Sequence, residues 1–131
     1  MSKLRAFISF ASEDIRIRDL FIGQGKHSDT PWEIADWSIQ IPYSEKWKTQ
    51  TRSRIKRCHV VIQLVGQFTS MSEGAIWEVE CAKQEEIPAF GVWVSRNSRG
   101  RIPSCFGRNN IIDWTWDGIG EMIQEVEAHW S

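Results

Sequence analysis

Apolar positions recur along this chain in two rhythms, a period of two and a period near 3.6, and the two take turns. Residues 4–10 form a short β-prone run. Ser12, Glu13 and Asp14 behind it supply a hydroxyl cap and two acids at the positive end of a helix dipole. The helix they open is expected to run from Ile15 to about residues 23–26. Residues 31–36 read as a second strand, in which Trp32 and Ile34 alternate with Glu33. Residues 37–43 form a loop, and Ser44 is placed to cap a helix that turns Trp47, Thr51 and Ile55 inward. Residues 58–65 are almost continuously apolar and stop at Gly66, the pattern of a central parallel strand covered on both faces. Next come a helix over 71–84, a buried strand over 88–94, a polar loop over 96–108 and a brief strand over 111–113. Trp116, Ile119, Met122, Ile123, Val126 and Trp130 then mark the inward stripe of a final helix. Five strands alternating with helices predict an α/β domain with a parallel sheet and right-handed crossovers. Ligands of such sheets sit outside the carboxyl ends of the strands, here near residues 9–13, 36–43, 66–72 and the loop after Val94.

One position breaks the pattern. At about 100° per residue, Met71, Ala75, Val79 and Ala82 fall into one stripe of the helix over 71–84, and Glu78 projects among Met71, Gly74, Ala75 and Ala82. Glu73, Glu80 and Lys83 take the solvated side. An acid on an inward stripe costs stability unless it is paired or lines a cleft. Gly74, one turn earlier, removes a side chain beside it. A pocket at Glu78, walled by Met71 and Gly74, is the functional expectation; an ion pair with a basic residue such as Arg5 is the structural one.

Composition narrows the classes. The 131 residues suit one domain over 1–131. A net charge of -1 gives no general attraction to nucleic acid or anionic membrane. Lys46, Lys48, Arg52, Arg54, Lys56 and Arg57 are spread around their helix and read as a solvated face. No apolar run approaches the roughly 20 residues of a membrane span, and the first residues lack the pattern of a signal peptide. Cys58, Cys81 and Cys105, odd in number and widely spaced, read as reduced core thiols of a cytoplasmic protein, with no metal-site spacing. G-x-G-x-x-G, G-x-x-x-x-G-K-[ST] and G-x-S-x-G are absent, and the third strand ends without the aspartate of a phosphoreceiver. Cys58 and His59, neighbours on a strand, would face opposite sides and form no dyad.

The segments Arg5-Ala6-Phe7-Ile8-Ser9-Phe10, His27-Ser28-Asp29-Thr30-Pro31-Trp32, Trp47-Lys48 with Arg54-Ile55-Lys56-Arg57, Val60-Val61-Ile62-Gln63-Leu64-Val65-Gly66 and Trp77-Glu78-Val79-Glu80-Cys81-Ala82 follow a familiar order. Together they resemble the bacterial TIR-like (Toll/interleukin-1 receptor-like) domains, and among these they are most similar to the TIR proteins of the Thoeris antiphage system. The likeness covers residues 5–94 and weakens after that. It implies a single flavodoxin-like, three-layer domain whose five-stranded parallel sheet runs 2-1-3-4-5 with helices on both faces. It implies an enzyme with NAD as substrate and no bound cofactor or metal. Glu78 matches the family glutamate that serves cleavage of the nicotinamide–ribose bond. The product would be a cyclic ADP-ribose isomer or related conjugate that activates a separate nucleotide-sensing effector, with a phage component as trigger. A homo-oligomer is compatible with this, and neither nucleic acid nor membrane is an expected partner.

Around Glu78 the candidate substrate-binding residues are Ser9, Phe10 and Ala11 at the first strand end, Asp36 for ribose hydroxyls, and an aromatic group, Trp32, Trp37, Tyr43 and Trp47, for adenine or nicotinamide. Many TIR domains carry a basic residue just after the first strand, where this chain has Ser12-Glu13-Asp14, so a pyrophosphate contact there would fall to the helix N-terminus. Two rivals share the sheet: a non-catalytic interaction module, and a nucleoside deoxyribosyltransferase-like enzyme with a nucleophilic glutamate.

Overall fold

The computed structural model describes residues 4–27, 32–38, 46–97 and 99–130. Strands β1 (Leu4–Phe10), β2 (Trp32–Trp37), β3 (Val60–Val65), β4 (Ala89–Trp93) and β5 (Ile111–Asp113) alternate with helices α1 (Ile15–His27), α2 (Lys46–Lys56), α3 (Glu73–Gln84) and α4 (Trp116–Trp130). The strands form one parallel sheet in the order β2-β1-β3-β4-β5, the flavodoxin-like arrangement that the alternation and the resemblance predicted.

Strand parity sorts the core into two layers, because successive side chains leave opposite faces of a sheet. Leu4, Ala6, Ile8 and Phe10 of β1, with Val60, Ile62 and Leu64 of β3, pack on one face against Phe21 of α1 and Ile119, Ile123 and Val126 of α4. Phe7 and Val61 project from the other face against Ile55 of α2 and Val79 and Ala82 of α3. All six residues of β3 are buried, as a central strand covered twice must be, and one of the six is Gln63.

Local chemistry moves three expected boundaries. Ser12 does not cap a helix; its hydroxyl bonds Glu13, Ala11 takes the cap position, and Ser12–Asp14 is a short 3-10 turn leading into α1. The helix over 71–84 starts at Glu73, because Ser72 Oγ accepts the Ala75 N–H at 3.2 Å and fixes the first turn there. Met71 therefore belongs to a separate 3-10 turn, Thr69–Met71, and is 71% exposed, so it leaves the inward stripe expected from periodicity. The third strand begins at Val60 and not at residue 58. Cys58 N–H bonds Ile55 O and closes α2, and His59 turns its Nδ1 back to accept the Arg5 N–H at 2.8 Å. The predicted cap at Ser44 lies outside the described residues.

The far end of α3 closes in a Schellman motif: Ile87 N–H reaches Ala82 O and Glu86 N–H reaches Lys83 O. The residue in the left-handed position is Glu86, at φ 59°. Among the described residues no helix is long and apolar enough to cross a membrane.

Candidate active site under helix α3

The site is assembled by strand register. β1 and β3 pair with Ser9 directly beside Gln63, on the same face as Phe7 and Val61, so two polar side chains of the central strands rise together toward α3. Glu78 comes down onto them from the middle of that helix. All three residues are completely buried. Ser9 Oγ–H donates to Glu78 Oε1 at 2.8 Å. Gln63 Nε2 donates to Ser9 Oγ at 3.1 Å and to the Ala75 carbonyl at 2.8 Å. Cys105, from the long loop before β5, brings its thiol to within 3.9 Å of Gln63 Oε1. The amide supports the hydroxyl, and the hydroxyl, with the Ala75 carbonyl 3.5 Å away, has its shorter bond to the carboxylate. Such a chain polarises each successive donor and holds the acid in one orientation.

A second buried acid lies at the same edge of the sheet. Asp14 packs over the turn that follows β3 so tightly that a Cβ on Gly66 would come within 2.6 Å of Asp14 Oδ2. Burial pushes its carboxyl above the usual 3.8, and the neighbouring Glu13 adds to that shift. Thr69 pins the turn by accepting the Gly66 N–H and bonding Leu64 O.

Of the residues expected at the site, the fold brings Ser9 into contact with Glu78 and leaves Gly74 in the first turn of the same helix. Ser9 contributes its side-chain hydroxyl. Ala11 is buried, and its carbonyl accepts the Asp14 N–H. Phe10 belongs to the opposite core layer by strand parity, and its ring receives the Arg18 guanidinium at 5.2 Å, as does Trp37 at 5.6 Å. Asp36 is gripped by both arms of Arg54, with Nε at 2.8 Å from Oδ2, so its carboxylate is committed to α2 and not offered to a ribose. Trp32 is a core residue stacked near Trp116. Trp47 meets Trp77 edge-to-face at 5.2 Å, beside Glu78 on α3. Trp37 is engaged from α1 and Trp47 from α3, and those helices cover opposite faces of the sheet, so the two rings do not share one wall. Tyr43 and residues 39–42 before it lie outside the described residues. Met71, as noted, points to solvent.

The carboxylate of Glu78 is thus an enclosed group and not the lining of an open pocket. A cavity of about 350 Å³ lies beyond the carboxyl ends of β4 and β5. Leu20 and Gln24 of α1 and Trp116 of α4 border it together with Trp93 and Asp113 at the strand ends, whereas Glu78 sits under α3 against Ser9. Gln63 and Asp14 were not singled out from the sequence as site residues. The signal for Gln63 was present in a lone amide inside Val-Val-Ile-Gln-Leu-Val; Asp14 was hidden by its resemblance to an ordinary helix-start acid.

No protein-family model matches the chain, and a search of curated proteins finds no match either.

Proposed function

We propose that this protein is a TIR-like enzyme that cleaves NAD at the nicotinamide–ribose bond, with Glu78 as the catalytic residue. The observation that carries the reading is the enclosed carboxylate of Glu78, held by Ser9 on the helix that follows the third strand of a 2-1-3-4-5 sheet. The resemblance of residues 5–94 to TIR-like domains of the Thoeris type supplies the reaction class. Departure of neutral nicotinamide leaves an oxocarbenium-like ribosyl cation and requires no proton for the leaving group. A single carboxylate of fixed orientation therefore suffices, either to stabilise the cation or to trap it covalently. Ser9 and Gln63 are positioning residues in this scheme: they aim the acid and do not meet the substrate.

Because Glu78 is enclosed in this conformation, turnover needs a rearrangement that uncovers it, which accords with an enzyme that stays silent until a phage component triggers it. The product would be a cyclic ADP-ribose isomer or related conjugate, formed when water is kept from the ribosyl cation and another part of the substrate reaches it first. That product would act on a separate nucleotide-sensing effector. Cytoplasmic location, a single domain over 1–131 and self-association belong to the same proposal.

The enclosure itself favours one other reading, a non-catalytic interaction module in which the Ser9–Glu78 bond is structural. Mass spectrometry and chromatography of nucleotides separate the two, with NAD incubated with pure protein and with extracts of phage-challenged cells expressing wild type or Glu78→Gln. Nicotinamide release and a new ADP-ribose species, both lost in Glu78→Gln, are expected. Intact NAD in every arm would leave the interaction module as the reading.

A further inference from the structure

We infer that the cavity beyond the carboxyl ends of β4 and β5 is a binding site for a mononucleotide, separate from Glu78. The inference does not rest on the NAD-cleaving reading. Its lining includes three tryptophans, Trp93, Trp114 and Trp116, and the charged residues Arg96, Arg99 and Asp113. A volume of about 350 Å³ is at the small end of small-molecule sites, which run from about 300 to 1,000 Å³. That gives room for one base with its sugar phosphate. Ligands of open parallel sheets bind at this edge.

Each part of the lining matches a part of such a ligand. Indole rings stack on a base with little dependence on its identity. The Trp114 indole N–H is buried with no acceptor among the described residues, a condition that an acceptor on the ligand would relieve. Arg99 lies 5.0 Å over the Trp93 ring, so the lining already joins a cation to an aromatic surface. Its guanidinium is paired with Asp113, and Arg96 is exposed beside it. Among these three charged residues the two arginines outnumber the single carboxylate, which sets the sign for a phosphate and marks Asp113 as the group with which that phosphate competes.

The competition gives the inference its test. Isothermal titration of the full-length protein with AMP, adenosine and ribose 5-phosphate is expected to show AMP binding at least tenfold tighter than either half. The double variant Arg96→Ala/Arg99→Ala should lose at least tenfold in AMP affinity while its circular dichroism and melting temperature stay near wild type. Asp113→Asn, which frees Arg99, should tighten AMP severalfold and leave adenosine unchanged; a residue serving only to hold the loop would weaken both. Glu78→Gln should bind AMP as wild type does, so a failed NAD assay and a failed AMP titration are independent results. Absence of AMP binding at millimolar concentration, AMP binding no tighter than ribose 5-phosphate, or looser binding in Asp113→Asn would overturn the assignment.

Discussion

Glu78→Gln separates what the charge does for chemistry from what the side chain does for the fold. Glutamine keeps the volume and keeps Oε1 as acceptor for the Ser9 hydroxyl, now 2.8 Å from the carboxylate. What changes for the fold is the strength of that bond. A charged acceptor contributes about 1.5–3 kcal/mol and a neutral one about 1 kcal/mol, so roughly 1 kcal/mol is lost. Against this stands the desolvation of a fully buried carboxylate, an effective penalty of several kcal/mol per ion. The folded Gln variant is therefore expected to be at least as stable as wild type. Glu78→Ala, by contrast, leaves both a void and a donor without its acceptor and should lose about 2–4 kcal/mol. For turnover the order reverses: removing the charge from the position of the ribosyl cation should cost about 3 kcal/mol or more, a factor on the order of 100 in rate. Urea denaturation of the three proteins and nicotinamide release measured under triggering conditions give both numbers. Glu80→Gln, at an exposed position two residues on, controls for charge alone and should match wild type in both assays. Near wild-type turnover by folded Glu78→Gln would refute the catalytic role; a stability loss above about 2 kcal/mol in that variant would refute the balance just drawn.

Three further outcomes follow from the geometry. Glu86→Gly should stabilise the chain by about 1 kcal/mol, visible as a higher melting temperature, because the left-handed turn at φ 59° that ends α3 is free of steric cost only for glycine. Asp14 is kept more easily protonated in the folded chain than in the unfolded one, so its contribution to stability is full below 3.8 and is lost as pH rises through the raised native value. Asp14→Asn should accordingly melt higher than wild type at neutral pH, and the gap should close as pH falls below 3.8; a gap independent of pH would mean that the buried charge is not its cause. Burial pushes the Cys58 and Cys105 thiols up to about 11, so iodoacetamide at pH 8 should label neither until the protein unfolds, and rapid labelling of the native chain at either position would contradict their burial.

The sheet was legible in the sequence because each strand carries its burial in its own composition. An apolar run of six or seven residues stopped by Gly66, or the alternation of Trp32 and Glu33, needs no distant partner to be read. Glu78 was legible for the same reason, since helical periodicity alone puts it among Ala75, Val79 and Ala82. What escaped depends on contacts between segments far apart in the chain. Met71 fits the stripe in phase, but the Ser72 cap decides where the helix begins, and one hydrogen bond takes Met71 out to solvent. Asp36 has the character of a ribose ligand until Arg54, eighteen residues later, closes on it. The aromatic count around the second strand says nothing about which layer each ring joins, and parity with helix packing divides Trp32, Trp37 and Trp47 among different partners. The cavity between β4, β5 and α1 joins residues more than ninety positions apart, as the Trp116–Gln24 hydrogen bond shows, and no local pattern announces it.

The three buried polar residues under α3 violate the rule that the rest of the sheet obeys. Ser9 and Gln63 are register partners on the two central strands, where their neighbours toward this layer, Phe7 and Val61, are apolar, and Glu78 is aimed at them from above. Stability does not account for such a set, because well-packed apolar side chains of similar volume commonly replace buried polar and charged groups at no loss. A network of this kind holds one group in one place. Gln63 supports Ser9, Ser9 donates to Glu78 Oε1, and Gln63 is also tied to the Ala75 carbonyl one turn earlier on the same helix, so the network holds strand and helix together around the carboxylate. Local disagreement with the folding pattern is what an active site costs a fold that is otherwise consistent. The same reasoning explains why Glu78, and not the more exposed Glu73 or Glu80, is the acid on which the proposed chemistry rests: only the enclosed one has its orientation set before a substrate arrives.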